Sequence, residues 1–246
     1  MLILTIDTAT PELVVGIVRH DPTNVKASVT LAETIVRNAR AHNEVLVPTV
    51  QELLATLKLE FADLAAIVVG CGPGPFTGLR VGMATAAAFG DALGIPVYGV
   101  ATHDAIAYEI ATTTNMVSDK MIVATDARRK EIYWSSYEHG VLTRGPEVCA
   151  PGKLGEPGEA SDHGLTDVSC VNIPDALHEK LPATLADVPH VSVSPSAISL
   201  IAVADFSQQP GPLEPLYLRR PDAKEPKPQP QSSAIPAPPT TVTHNV

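Results

Sequence analysis

One stretch of this chain decides its fold: Gly70-Cys71-Gly72-Pro73-Gly74-Pro75-Phe76-Thr77-Gly78-Leu79-Arg80-Val81-Gly82. The apolar run 64–69 precedes it and an alanine-rich segment follows it, so the order predicted is a buried strand, a tight turn and a helix. Gly72 and Gly74 allow backbone angles and close approaches that a side chain would prevent. The free N–H groups at the start of such a helix point into the turn, and proteins bind phosphate in this way. Glycine-rich turns also serve packing alone, and this spacing matches neither a P-loop nor a dinucleotide-binding fingerprint.

The helix after the turn has a small residue at every fourth position, at Gly78, Gly82, Ala86 and Gly90. These residues share one face of the helix. Each interior glycine costs about 0.5–1 kcal/mol relative to alanine, so a close contact must offset that cost. The contact is either the protein's own sheet or a partner helix. For the partner helix, the predicted interface is Gly78, Leu79, Gly82, Met83, Ala86, Gly90 and Leu93.

Composition limits the functional classes. The chain has 246 residues, is 45% hydrophobic and carries a net charge of −10. Such an acidic chain is not expected to bind nucleic acid by itself, although basic runs occur at 128–130 and 219–220. The three cysteines, Cys71, Cys149 and Cys170, form no disulfide or zinc pattern, which favours a reducing cytoplasm. We expect no signal peptide, because the apolar run 2–6 is short, has no basic segment before it and leads directly into Asp7. We also expect no contact with a membrane, because no apolar run reaches the ~20 residues that a bilayer requires.

The remaining elements predict two related halves. Strands are expected at 2–6, 13–19 and 25–36, followed by a helix at 43–57, the strand at 64–69, the glycine-turn helix ending near 93, a strand at 97–100 and a helix from 103 to about 111. A second unit begins with strands at 121–125 and 131–137 and a hairpin turn at 138–140. It ends with a helix from Ser194-Pro195 to Phe206, with Ser194 as N-cap, and a short strand at 215–218.

Two aspartates support a duplication. Asp7 and Asp126 each end a buried strand just before a turn, about 120 residues apart. We therefore predict an N-terminal subdomain at 1–102 and a C-terminal subdomain at 103–220. Seven of the last 26 residues are proline and few are apolar, so residues 221–246 are predicted to be a disordered tail.

Four motifs together resemble a known family. They are Leu4-Thr5-Ile6-Asp7-Thr8-Ala9-Thr10, the glycine turn 72–82, Asp126-Ala127-Arg128-Arg129-Lys130-Glu131-Ile132-Tyr133 and Pro215-Leu216-Tyr217-Leu218-Arg219. The first resembles the phosphate motif of the actin, sugar kinase and Hsp70 fold, and the set resembles the TsaB (YeaZ) family over about residues 1–220. The chain departs from the common family pattern at Cys71 and Pro75, where arginine and serine are usual.

The resemblance implies a fold and a role. The fold is α/β and actin-like (ribonuclease H-like, of the sugar kinase/Hsp70 type), a duplicated βββαβα arrangement. TsaB is a non-catalytic paralogue of TsaD, which forms N6-threonylcarbamoyladenosine next to the tRNA anticodon. The implied partners are a TsaD-type catalytic subunit and a TsaE-type ATPase, with a homodimer when the chain is alone and tRNA reached only through the complex. The small-residue helix would then form the interface.

The expected metal ligands of a TsaD-like site are missing from the sequence. Such a site uses two histidines four residues apart, just after the strand that follows the glycine-turn helix. Thr102 and Ile106 occupy those positions here, and His103 is expected to be a surface or capping residue. No catalytic residue and no metal site are therefore predicted. Cys71 is expected to fill space in the core.

A vestigial nucleotide or phosphate site is the remaining prediction. Its members would be Asp7, Thr8, Thr10, Gly72, Gly74, Thr77 and Asp126. The aspartates either bind nucleotide weakly or cap turns. No cofactor is required, and the site is compatible with weak binding of ATP or ADP. The rival functions are a small-molecule kinase or ATPase of the same fold and a protease, although no Ser-His-Asp or Cys-His spacing supports the latter.

Overall fold

The computed structural model describes residues 1–24, 27–37, 42–113, 120–155, 165 and 167–218. In the first half the strands and helices are β1 (Leu2–Asp7), β2 (Leu13–Arg19), β3 (Val29–Val36), α1 (His42–Leu57), β4 (Ala66–Gly70), α2 (Phe76–Leu93), β5 (Val97–Val100) and α3 (Thr102–Thr113). In the second half they are β6 (Lys120–Asp126), β7 (Ile132–Glu138), β8 (Val141–Cys149), β9 (Cys170–Asn172), α4 (Asp175–His178), α5 (Ala183–Ala186), β10 (His190–Val191) and α6 (Ala197–Ala202).

The two halves have the same strand topology. The first sheet has the order β3-β2-β1-β4-β5 and the second has the order β8-β7-β6-β9-β10. In each sheet three successive strands pair antiparallel, and the first of them also pairs parallel with the strand that comes fourth along the chain. The fifth strand pairs parallel with the fourth. This repeat confirms the predicted duplicated actin-like fold. The predicted boundary between the two subdomains, at residues 102–103, stays a prediction.

Both faces of the first sheet are buried. On one face, side chains such as Ile6 and Val69 pack against Leu46 of α1 and Met83 of α2. On the other face, Ile3 and Val68 belong to a cluster with Leu200 of α6. The late helix α6 thus covers the sheet of the first half. A Cβ atom at Gly16 of β2 would lie 2.3 Å from Cβ of Ala197, so the absence of a side chain allows this approach.

The second sheet is covered in the same manner. Ile122 and Trp134 belong to one cluster with Leu177 and Leu185, which the short helices α4 and α5 supply. On the opposite face, Met121, Val123 and Tyr137 pack against Ile106 and Ile110 of α3. Ala105 of the same helix belongs to the cluster on the first sheet, so α3 packs against both sheets. Within the described ranges, no helix is long and apolar enough to span a bilayer.

Several predicted element boundaries were wrong. The N-cap of α6 is Ser196, whose hydroxyl accepts a hydrogen bond from the backbone N–H of Ser199, so the helix begins three residues after Ser194 and ends at Ala202 instead of Phe206. Residues 215–218 form no strand, because the backbone there makes one long-range bond, from Leu216 N–H to Cys71 O. Strand β3 begins at Val29 rather than at residue 25. The predicted tail 221–246 lies outside the described residues.

No sequence pattern predicted the elements between β8 and α6. Strands β9 and β10 have three and two residues, and helices α4 and α5 have four each. Elements this short carry too few residues for a periodic pattern.

Candidate functional site

Asp7 ends β1 inside the protein and forms the centre of the predicted nucleotide site. Its side chain is fully buried. Oδ1 accepts a hydrogen bond from the backbone N–H of Ala9 at 2.9 Å, and Oδ2 accepts one from Oγ1 of Thr102 at 2.7 Å. Burial raises the pKa of Asp7 to about 6, although these two hydrogen bonds oppose the rise. Both carboxylate oxygens are thus engaged by the protein itself, and Asp7 caps the turn that follows its strand.

Thr8 lies directly against the small-residue face of α2. Its Oγ1 donates a hydrogen bond to the carbonyl oxygen of Gly78 at 2.8 Å. A Cβ atom at Gly82 would lie 2.3 Å from that Oγ1, and one at Gly78 would lie 2.6 Å from the carbonyl oxygen of Thr8. Real Cβ atoms do not approach other atoms this closely, so the glycines leave the space that the loop after β1 occupies.

The glycine turn packs against the same loop. A Cβ atom at Gly74 would lie 2.5 Å from the carbonyl oxygen of Ala9. Gly72 has a φ of +100°, which a side chain would strain, and its carbonyl oxygen accepts a hydrogen bond from Thr102 N–H at 2.7 Å. The space beside Gly74, where a phosphate would have to approach, is therefore filled by Ala9.

The predicted partner interface on the small-residue face needs correction. Leu79, Met83 and Ala86 are buried in the cluster that α2 forms with the first sheet. A Cβ atom at Gly90 would lie 2.3 Å from Cγ2 of Val97. These residues pack against their own chain, which was one of the two contacts that the spacing allowed. A partner therefore cannot reach them in the folded protein. Of the seven predicted residues, Gly78 and Leu93 are half-buried and the other five are buried.

The opposite face of α2 is exposed and carries an aromatic cluster that the sequence analysis missed. Phe76 is 51% exposed. Its ring stacks on Tyr217 with 5.0 Å between ring centroids, and the guanidinium of Arg80 lies 3.8 Å above the Phe76 ring. Nε of Arg80 also donates to the Tyr217 hydroxyl at 3.1 Å. We call this face the outer face of α2. It borders a groove of about 390 Å³ that is lined by Asn43, Phe76, Thr77, Arg80, Val81, Ala84 and Thr85.

Two of the seven predicted nucleotide-site residues line a cleft elsewhere. Thr10 and Asp126 border a polar cleft of about 190 Å³ between the two halves, together with Asn172. Oδ1 of Asp126 accepts a hydrogen bond from Arg128 N–H at 2.7 Å, and its Oδ2 lies 3.6 Å from the Arg128 guanidinium. Thr77 lies instead on the groove beside α2. The structure thus does not bring the seven predicted residues together.

His103 is buried, and the prediction of a surface or capping residue was wrong. Its Nδ1 lies 2.8 Å from Oγ of Ser135 and its Nε2 lies 3.0 Å from Oγ1 of Thr125. Burial lowers the pKa of His103 to about 3, so the ring is neutral at physiological pH. The residue joins α3 to β6 and β7 by hydrogen bonds. The sequence offered no signal for this, because the partners lie 22 and 32 positions away.

The positions of the missing ligand pair are also buried. The Thr102 hydroxyl bonds to Asp7, and Ile106 packs among apolar side chains on the second sheet. Across the described part of the chain, no three His, Cys, Asp or Glu side chains are grouped so that they could hold a metal ion. Burial raises the pKa of Cys71 to about 11, so its thiol is protonated, and its predicted packing role is confirmed by its burial.

Comparisons with known proteins agree with this architecture. Residues 31–209 match a family model described as TsaD, tRNA N6-adenosine threonylcarbamoyltransferase. The chain is 47% identical over 224 residues to an uncharacterized protein of Mycobacterium tuberculosis, covering 90% of this chain and 93% of that one. It is 32% identical over 138 residues to the tRNA threonylcarbamoyladenosine biosynthesis protein TsaB of Escherichia coli, covering 56% of this chain and 55% of that protein. The solved structure of YeaZ from Pseudomonas aeruginosa superposes with a TM-score of 0.66 at 23% identity, covering 88% of this chain and 99% of that chain, which supports the fold.

Proposed function

This chain belongs to the TsaB (YeaZ) branch of the TsaD family, and from that membership we propose that it is a non-catalytic subunit in the formation of N6-threonylcarbamoyladenosine in tRNA. It acts by binding and activating a TsaD-type catalytic subunit. A TsaE-type ATPase is the third member, and tRNA is reached through the complex. The chain forms a homodimer when it is alone, and the cytoplasm is its predicted compartment.

The non-catalytic role is supported by the side chains at the positions where a catalytic relative would bind its metal ion. The family resemblance places Thr102 and Ile106 at the positions of the metal-binding histidines, and both side chains are buried. The Thr102 hydroxyl donates a hydrogen bond to Asp7, and His103 forms hydrogen bonds with Thr125 and Ser135 across the two halves. The Thr102–Asp7 bond stabilises the first half, whereas His103 and Ile106 contact the second sheet, so all three side chains support a structural role for this region.

The outer face of α2 is the surface that best fits a partner. It combines an exposed aromatic ring at Phe76 with a neighbouring groove, and aromatic and arginine side chains are enriched where proteins bind one another. Ala84 and Thr85 line the groove with small side chains, so a partner helix can approach closely. We propose that this face binds the TsaD-type subunit and also mediates self-association.

Binding between this chain and a TsaD-type subunit tests the proposal. Ala84→Arg introduces a long charged side chain at an exposed position on the outer face, and we expect the Kd to rise at least about tenfold. The melting temperature should stay unchanged because Ala84 is exposed. Ala111→Arg, at an exposed position on α3, is the matched control and should leave the Kd unchanged. Equal binding by wild type and Ala84→Arg would refute the docking surface.

Catalytic inactivity is tested separately. The isolated chain is expected to hydrolyse neither ATP nor peptides. Turnover that copurifies with the protein and disappears in Asp7→Ala would contradict the non-catalytic role.

A second candidate function is that of a small-molecule kinase or ATPase. The polar cleft bordered by Thr10 and Asp126 favours it, because hydroxyl and carboxylate groups are chemically suited to a nucleotide and its cation. Calorimetric titration with ATP and ADP distinguishes the candidates. Weak binding without turnover agrees with the leading proposal, and phosphoryl transfer to a small molecule supports the second.

A further inference from the structure

A pocket of about 240 Å³ lies between α3, the β7–β8 hairpin and the end of α6. It shares no lining residue with the groove beside α2 or with the polar cleft. The lining residues of α3 are separated by three, four and seven positions, so they share one face of the helix. They are Asp104, Ala107, Tyr108 and Ala111.

Asp104 supplies a negative charge to the wall of this pocket. The buried Tyr137 donates its hydroxyl hydrogen bond to Oδ1 of Asp104 at 2.6 Å, which fixes the orientation of the carboxylate. Burial, followed by the charge of Asp104, raises the pKa of Tyr137, so the hydroxyl keeps its proton and remains a donor. Within the described ranges, Oδ2 of Asp104 accepts no hydrogen bond and no basic side chain forms an ion pair with Asp104. The folded chain thus leaves this charge without a cation of its own.

The rest of the pocket is apolar, and its entrance is open. The short side chains of Ala107 and Ala111 leave the hollow on the face of α3. A Cβ atom at Gly140 would meet no other atom within 4 Å, so the hairpin leaves the space beside it open. Leu142 lines the pocket and is 43% exposed, and the adjacent Val141 is 67% exposed. An apolar rim therefore surrounds a carboxylate.

This combination selects one class of ligand. An anion would be repelled by Asp104 and by the net charge of −10. A metal ion requires several oxygen or nitrogen ligands, and no such group of side chains occurs in the described part of the chain. A neutral apolar molecule would cover the carboxylate and remove its contact with water without pairing it, which is unfavourable. A cation with an aliphatic stem satisfies both the charge and the apolar wall.

We propose that this pocket binds a small organic cation, in which an ammonium or guanidinium group on a short aliphatic stem pairs with Asp104. Such a pair is a charge-assisted hydrogen bond, and the aromatic rings of Tyr108 and Tyr137 in the wall favour a positive charge further. Pockets for drug-sized ligands have about 300–1,000 Å³, so the smaller volume here fits a molecule of a few non-hydrogen atoms. The site is separate from the docking surface on α2 and does not depend on the proposed function.

Titration of the isotope-labelled full chain with n-butylammonium chloride, followed by amide resonances, tests the proposal. The amide signals of Ala107 and Gly140, which line the pocket, should shift to saturation with a Kd of about 0.1–5 mM, as expected for so small a ligand. The neutral alcohol n-butanol has the same size and should bind at least about tenfold more weakly, because it lacks the charge. Sodium chloride at equal ionic strength should produce no saturable shift of these signals.

Three variants locate the binding site. Asp104→Asn keeps an oxygen that accepts the Tyr137 hydrogen bond, so the melting temperature should stay nearly unchanged while the affinity for n-butylammonium falls at least about tenfold. Asp91→Asn is the matched control, because it removes one negative charge from an exposed position on α2 and should leave that affinity unchanged. Ala111→Arg places a cationic side chain at the pocket from an exposed position and should abolish saturable binding, so it provides an independent test if Asp104→Asn fails to fold.

Four outcomes overturn the inference. The absence of a saturable shift in the natural protein refutes it, and so does an unchanged affinity in Asp104→Asn. Equal affinities for n-butylammonium and n-butanol would mean that the pocket does not recognise charge. Weaker binding of the TsaD-type subunit by Asp104→Asn would mean that a side chain of that subunit, and not a small molecule, pairs with Asp104.

Discussion

Gly82→Ala should destabilise the natural protein and stabilise a protein that already carries Thr8→Ala. The new Cβ atom would lie 2.3 Å from Oγ1 of Thr8, which is held in place by its hydrogen bond to the Gly78 carbonyl oxygen. The next nearest atoms are Cγ2 and Cβ of the same threonine, at 3.3 and 3.4 Å. Truncating Thr8 to alanine removes the first two of these atoms and keeps the third at an acceptable distance.

The expected free energies follow from these contacts. Overpacking a dense core costs about 1–3 kcal/mol, and replacing a helical glycine by alanine returns about 0.5–1 kcal/mol. Gly82→Ala alone should therefore lower the free energy of unfolding, by up to about 2.5 kcal/mol. Thr8→Ala alone should lower it by about 1 kcal/mol, because one partly buried hydrogen bond is lost. In the Thr8→Ala protein the overpacking disappears, so Gly82→Ala should raise the free energy of unfolding by about 0.5–1 kcal/mol.

Urea denaturation followed by circular dichroism measures all four proteins of this double-mutant cycle. A coupling free energy of about 1–3 kcal/mol is expected between the two positions. The reasoning is refuted if Gly82→Ala has the same effect in both backgrounds, or if it stabilises the natural protein. Either result would mean that the small face of α2 does not contact the loop after β1.

Two further predictions concern Asp7 and the C-terminal end. The folded state raises the pKa of Asp7 from 3.8 to about 6, so the folded protein holds this proton more tightly and its stability falls as pH rises from about 4 through 6. A pKa difference of about two corresponds to a fall of roughly 3 kcal/mol in the free energy of unfolding, and Asp7→Asn should remove that fall. Identical stability–pH curves for both proteins would contradict the assignment. Truncation after Arg220 should leave the melting temperature nearly unchanged, because the composition of residues 221–246 cannot bury enough apolar surface to offset ordering. Truncation before Leu213 should lower it by several degrees, since Leu213 packs on the core and Leu216 bonds to Cys71; the reverse order of effects would show that the tail stabilises the fold.

The sequence by itself determined the elements with strong local signals. The apolar run before Gly70 specified β4, the glycine turn specified the start of α2, and the aspartates at two strand ends indicated the duplication that the sheet order confirms. The four family motifs predicted the TsaB (YeaZ) family, which the comparisons confirm. These signals depend on neighbours along the chain, so they can be recognised in the sequence without a structure.

Tertiary structure alone decided what those elements contact. The spacing of Gly78 to Gly90 indicated that one face of α2 makes a close contact, but only the folded chain shows that Thr8 and Val97 lie against it. The same holds for Asp7 and His103, whose hydrogen-bond partners Thr102, Thr125 and Ser135 are distant in sequence. A periodic pattern reports which residues share a face, whereas the identity of the opposing surface depends on long-range packing that no local window contains. For that reason only the folded structure identifies the outer face of α2, with its aromatic cluster, as the candidate docking surface.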